Sequence, residues 1–271
     1  MTADYDPAEV ASADDPGTPH VFPTMAKRQD IDALLKAWKY EPGEVVARVV
    51  GAADGRQVVQ MRIEMGLLQM EVENRPDGTR PHNCATYFDY LKQRQALEEG
   101  SLVLTPEQCQ EADREFTQYY HRRMCWLALR EFDKAVRDAD HTLAFMDFVR
   151  DHSPEEEWTM VHEQYRPFVL FHRAQAGALA KLETIGPDAA ITELNDSLAR
   201  FRDLFEDFEM SERYDEDELV TRLQGLKESI REHYQVGRTL TEQLSDAVSA
   251  EDYELAARLR DEMSRRAAAN N

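Results

Sequence analysis

The stretch TLTEQLSDAVSAEDYELAARLRDEMSRR, Thr239 to Arg266, carries two helical periodicities separated by a turn. Leu240, Leu244, Ala247 and Val248 recur on one face of the first, and Leu255, Ala256, Leu259 and Met263 on one face of the second. Thr239 followed three residues later by Glu242 is the pattern of a capping box and places the helix start at Leu240. Ser249 to Asp252 is the expected turn, and the unit over 239–267 is a helical hairpin. Small Ala256 and Ala257, beside Leu259 and Tyr253, let another helix approach closely. Two helices alone bury too little apolar surface to be stable, so this unit needs a partner surface inside or outside its own chain.

The run Ala247, Val248, Glu251, Asp252, Tyr253, Glu254, Ala256, Ala257, Leu259, Arg260, Asp261, Glu262 resembles the UVR motif. In that family a short helical hairpin pairs bacterial excinuclease subunits B and C, and it recurs in Clp-type ATPases and in the activator of protein arginine kinase. The second helix carries most of the likeness; the first contributes Leu244, Ala247 and Val248, and Met263 stands where Ile is usual. The resemblance implies protein docking through Leu244, Val248, Tyr253, Ala256, Ala257, Leu259 and Met263. It implies as partners another UVR-type hairpin or a Clp-type or excinuclease component. An uncovered apolar arc centred on Ala256 would also support a weak homodimer.

Working outward, a connecting helix is expected over 211–238. It starts near Asp215, with Glu218 completing its cap, carries Leu219, Leu223, Leu226 and Ile230, and is broken or bent at Gly237. Residues 101–210 read as a helical bundle. Thr105, Pro106 and Gln108 start a helix to about Leu129; a second runs from Phe132 to about Val149. Ser153, Pro154 and Glu156 start a long one through about Leu182, and Gly186-Pro187-Asp188 separates it from another ending near Phe208. Within this region Tyr119 to Leu143 resembles a tetratricopeptide repeat in Trp126, Leu129, Phe132, Ala135, Asp138 and Leu143, although Arg123 stands where a small residue is usual. A looser copy spans Ala174 to Leu198, and the spacing exceeds the 34-residue period of regular arrays. A plain antiparallel bundle is the alternative reading.

Residues 27–100 form the expected α+β module: a short helix on Ile31, Leu34, Leu35 and Trp38, then strands over 44–50, 57–65 and 67–72, rich in Val, Ile and Met. These give a small antiparallel meander with one covered face. The block QMRIEMGLLQMEVENRPDGTRP, Gln60 to Pro81, is similar to a family of bacterial proteins of unassigned activity that also end in a UVR motif. Within it Arg75, Asp77 and Arg80 are the candidate binding turn, with local hydrogen bonding as the competing explanation. Asn83 is the expected cap of the helix carrying Tyr87, Phe88, Leu91 and Leu97. Residues 1–26, acidic and Pro-rich without an apolar run, are expected to be a disordered tail with no leader character. The fold class is thus mainly α (α+β).

A net charge of -21 argues against a broad nucleic-acid face, because phosphate affinity comes largely from Lys and Arg. Cys84, Cys109 and Cys125 form no CxxC pair and read as free thiols in a reducing cytoplasm. His82 and Cys84 have no second cluster to complete a metal site. No run approaches the roughly 20 apolar residues of a membrane span. The GxxxxGK[ST], GxGxxG and GxSxG patterns are absent. His162 and Arg166 read as a solvated helix face. The expectation is a non-catalytic protein–protein interaction adaptor without cofactor or metal. The alternative is a small-molecule sensor or enzyme with its site at the Arg75 to Arg80 turn.

Overall fold

The structure, a computed structural model, describes residues 30–97 and 100–269, except for the side chains of 266–269. The expected tail over 1–26 lies outside the described residues. The chain divides between Lys39 and Tyr40 into two compact units. Helix α1 (Asp32–Ala37) belongs to the first, with its last turn closed by the Trp38 N–H on the Leu34 carbonyl.

The second unit opens with β1 (Val46–Gly51), β2 (Gln57–Ile63) and β3 (Gly66–Glu71), an antiparallel meander in that spatial order. Val49 pairs with Val59, and Val59 with Met70. On one face Val59 and Met70, with Ala47, Met61 and Leu68 around them, pack against Trp126, Phe132 and Ala135 of the bundle. The opposite face is not open as alternation implies: Val58, Gln60 and Arg62 are buried too. A ladder crosses it, with Arg48 donating to Gln60 Oε1 (2.8 and 2.9 Å) and Gln60 Nε2 to Gln69 Oε1 (2.9 Å). Arg62 folds onto the carbonyls of Ile63 and Gly66.

Helix α2 (Tyr87–Leu97) follows a 3-10 turn at Pro81–Asn83. Asn83 is not its cap. The Thr86 hydroxyl accepts from Asp89 N–H, and the carboxylate of Glu115, from the next helix, accepts the N–H groups of Tyr87 (2.7 Å) and Phe88 (3.2 Å). Next come α3 (Pro106–Ala128), with the expected Thr105–Gln108 capping box, and α4 (Phe132–His152). The expected long helix over 153–182 is two, α5 (Glu156–Glu163) and α6 (Arg166–Thr184). Pro167 lacks the N–H that would continue the ladder, and its ring conflicts with the carbonyl four residues back, so the chain turns at Gln164 and Tyr165. Helix α7 (Pro187–Asp207) leads through a 3-10 turn (Ser211–Glu216) to α8 (Glu218–Tyr234), whose cap is Asp217 rather than Asp215. Its oxygen accepts from Leu219 and Val220 N–H (2.9 and 3.0 Å).

Neighbouring helices pack in order, α3 on α4, α4 on α6, α6 on α7 and α7 on α8. Phe88, Phe116 and Phe145 fill the α2–α3–α4 core, and Ile191, Leu194, Phe201 and Leu223 the α6–α7–α8 core. Gly177 lets α7 come close: a Cβ there would lie 3.1 to 3.3 Å from the Glu193 side chain, which Arg173 and Lys181 hold in place. Burial, rather than a solvated face, is what His162 and Arg166 meet. His162 Nε2 lies 2.9 Å from Asp113, and Arg166 grips Glu163.

Candidate protein-docking hairpin

The chain ends in α9 (Leu240–Ser249) and α10 (Tyr253–Ala269), the two helices expected from periodicity. The Thr239 hydroxyl accepts from Glu242 N–H, and Glu242 Oε2 accepts from Thr239 N–H (2.8 Å), completing the capping box. At the other end Asp252 N–H reaches the Ala247 carbonyl (2.8 Å) and Glu251 N–H the Val248 carbonyl (3.0 Å), a Schellman closure. It puts Glu251 in the left-handed region, φ 57°. Asp252 then caps α10, accepting from Leu255 N–H (2.9 Å). Four residues thus stop one helix, reverse the chain and start the next.

The hairpin has its own small core of Ala247, Ala256 and Leu259, flanked by the half-buried Leu240 and Leu244. Ala256 is 1% exposed and so lies inside the hairpin, not at the centre of an open arc. Ala256 and Leu259, three apart, face inward, whereas Leu255 is turned about 100° away. The uncovered apolar side chains gather near the closed end: Val248 is 46%, Tyr253 69% and Leu255 36% exposed. Ala257 is exposed as well, and Met263 is half-buried. Of the candidate docking residues, Val248, Tyr253 and Ala257 therefore stand outside, Ala256 and Leu259 hold the helices together, and Leu244 and Met263 are intermediate. Leu255 is the exposed residue that periodicity had assigned to the inner face; only the packing angle of the two helices reveals it.

At its base the hairpin is tied to α8. Arg231 Nη2 donates to Glu242 Oε1 (2.6 Å), the same carboxylate that completes the capping box, and Lys227 Nζ lies 3.9 Å from it. Burial alone would raise the Glu242 pKa, but the hydrogen bonds from Arg231 and Thr239 hold it below the usual carboxylate range. Helix α8 itself ends at Tyr234, before Gly237, with Gln235 in the left-handed region.

The turn over Arg75 to Arg80 is built differently. Arg75 is 2% exposed; its Nη2 lies 2.5 Å from Glu111, and its Nε lies 3.4 Å from Asp77 and 3.6 Å from the fully buried Glu115. Asp77 accepts from Thr79 N–H (2.9 Å) and Gln118 Nε2 (2.9 Å), so its carboxylate stays below the ordinary range although burial opposes this. Asn74 receives Arg122 Nη1 (2.7 Å) and the Tyr119 hydroxyl (3.2 Å) on its carbonyl, fastening the turn to α3. Asp77 and Arg80 are the exposed members of the three, and Arg80 lines a cleft of about 410 Å³ that Arg56 shares.

The buried thiols of Cys109 and Cys125 are pushed up by burial to about 11 and about 12, which leaves them protonated. His82 stacks on Tyr90 at 3.8 Å, and among the described residues no group of three His, Cys, Asp or Glu is placed to hold a metal. No described helix is long and apolar enough to cross a membrane.

No similar curated protein and no similar solved structure was found. Residues 238–265, which begin just before the Thr239 cap and span α9 and most of α10, match the family model UVR, described as the UvrB/uvrC motif, and the C-terminal hairpin of this chain is a UVR motif.

Proposed function

We propose that this protein is a non-catalytic adaptor that docks other proteins on the closed end of its UVR hairpin, the helical bundle serving as the second surface. UVR motifs mediate protein interactions in UvrB/UvrC-type proteins. The observation that carries the reading is the division of labour in α9–α10. Ala247, Ala256 and Leu259 close the hairpin on itself, which leaves Val248, Tyr253 and Leu255 uncovered on an element held at its base by Arg231 and Glu242. Exposed aromatic and aliphatic side chains on a positioned element are what an interface core is built from. Another UVR-type hairpin, a Clp-type ATPase or an excinuclease component are the partner classes to test first. The α3–α4 and α6–α7 pairs supply the helical-repeat surface of the same adaptor. Three free, buried cysteines suit a reducing compartment, and we place the chain in the cytoplasm on that ground.

The test compares the intact protein with a Val248→Ser/Tyr253→Ser variant in binding to purified candidates from those three classes. Both substitutions are on exposed positions, so helicity and unfolding midpoint should be unchanged while binding weakens about tenfold or more. Equal binding by the two proteins refutes docking at the closed end. Sedimentation of the same pair over a concentration range tests self-pairing through that end: a wild type that is monomeric at high micromolar concentration excludes it. The small-molecule reading has less support, since Arg75 is committed to Glu111 and Asp77, and Arg56 to Glu71.

A further inference from the structure

A groove of about 550 Å³ lies where the start of α6 faces the end of α7 and the 3-10 turn that follows. Its floor is apolar, made by Met160, Pro167, Leu204, Phe205, Phe208 and Met210. Three of these are open to solvent in the free chain, Met160 at 47%, Phe208 at 42% and Met210 at 37%. The apolar surface continues beyond the groove, because Val161, Tyr165 and Phe168, in the same stretch of chain as Met160 and Pro167, are about half exposed. A metabolite filling the groove would leave that extension bare, whereas a peptide segment of several turns could cover both.

The rim selects the charge of such a segment. Glu216, Asp217 and Glu218 line it opposite a single base, Arg213. Asp217 is occupied by the first N–H groups of α8, and Glu163, across the groove, is held by Arg166. Glu216 and Glu218 make no ion pair among the described residues. Asp203 to Glu218 holds nine Asp or Glu and one Arg, so the negative potential extends well past the groove itself. Opposed potentials across an interface favour the pairing and speed its formation, and like charges are rejected. Methionine adapts its shape to irregular partners, and two of the three exposed floor residues are methionine.

We infer that this groove binds a basic amphipathic helix of another protein, its large apolar side chains on Met160, Phe208 and Met210 and its Lys or Arg residues against Glu216 and Glu218. The site is separate from the UVR hairpin, so the chain would join two partners of different chemistry. Binding of a fluorescent 18-residue peptide of Leu and Lys in helical amphipathic order is the test, read by anisotropy on the full-length protein. A peptide of the same composition in scrambled order and one with Glu in place of Lys are the controls. Expected is binding of the ordered Lys peptide at least about tenfold tighter than of either control, weakened about tenfold by Phe208→Ser/Met210→Ser and several-fold by Glu216→Lys. Asp133→Lys, an equal charge change at an exposed position at the start of α4, which contributes no residue to the groove, should leave it unaltered, as should Val248→Ser/Tyr253→Ser. Equal loss with Asp133→Lys would reduce the effect to general attraction by an acidic chain and overturn the proposal. So would full affinity in Phe208→Ser/Met210→Ser, whose fold circular dichroism monitors, or loss only in the hairpin variant.

Discussion

In the bundle, α3 and α4 are joined by Arg122 and Asp138, 1% and 0% exposed, in a two-pronged pair at 2.8 Å that also accepts the Trp126 indole N–H. In the hairpin, α9 and α10 are joined by Ala247, Ala256 and Leu259 and by caps at each end. The first arrangement is held by side chains distant in sequence and leaves little to a partner. The second has its caps and turn specified by neighbours within five residues, buries little, and keeps Val248, Tyr253 and Leu255 outside. A docking element gains from this, because surface already buried against its own chain cannot be buried again against another.

The largest break in the comparison is Asp138→Ala. It leaves Arg122 Nε and Nη2 and the Trp126 N–H buried without an acceptor, and should cost about 3–5 kcal/mol in a urea unfolding curve. Amide exchange in α9–α10, governed by local opening, should be unaltered. Loss of protection there to the same extent would mean that the two regions open as one.

Acid separates the regions next. His172 is pushed down to about 4 by burial and by Arg123 and Arg222 beside it. Above pH 6.5 the ring is neutral in both folded and unfolded chains. As pH falls from 6.5 toward 4 the unfolded chain takes up a proton that the folded one refuses, so bundle stability drops by at most about 3 kcal/mol. Urea midpoints measured across that range should fall in the wild type and fall less steeply in His172→Leu, the remaining slope belonging to His121 and His162, which burial also pushes down; equal slopes would refute the assignment. Glu242 responds lower down and in the carboxylate sense. Its folded pKa lies below 4.5, so its stabilisation is full above that value and disappears as pH falls through the folded pKa. Glu242→Gln should therefore loosen α9 at neutral pH by about 1–2 kcal/mol, the worth of one charge-assisted hydrogen bond. Protection of the α9 amides, corrected for the intrinsic pH dependence of exchange, should in the variant lose the acid sensitivity that Glu242 gives it below 4.5.

The smallest effect sharpens the local side of the comparison. Glu251→Gly relieves a non-glycine residue at φ 57° and should stabilise the hairpin by about 0.5–1 kcal/mol, seen as slower exchange in α10 and an unchanged urea midpoint for the bundle.

Punctuation explains how much was legible. Reading helix ends from glycine found Gly186, but Arg130, Glu209, Gln235 and Glu251 also close helices in the left-handed region without being glycine. The end of α8 was accordingly expected at Gly237 rather than Gln235. Pro167 was a readable signal for the break between α5 and α6 that periodicity alone passed over. At the hairpin, the helices, turn and capping box were all in the sequence, whereas the inside position of Ala256 and the outside position of Leu255 depended on how α10 rotates against α9.

The amino-acid sequence by itself determined the elements whose causes are local: the three-strand meander, the Thr105 and Thr239 capping boxes, and the two helices of the UVR hairpin. Each rests on hydrogen bonds or periodicity spanning a few residues, where little competes. Tertiary structure alone decided the uses of residues whose partners are far along the chain. Glu115 caps α2 from 28 residues away, and Arg75, a candidate for the surface by its place in a polar turn, is buried against Glu111. The physical reason is that a charged side chain stays in water unless the packed chain supplies opposite charge and hydrogen-bond partners for it, and that supply exists only once distant helices have come together.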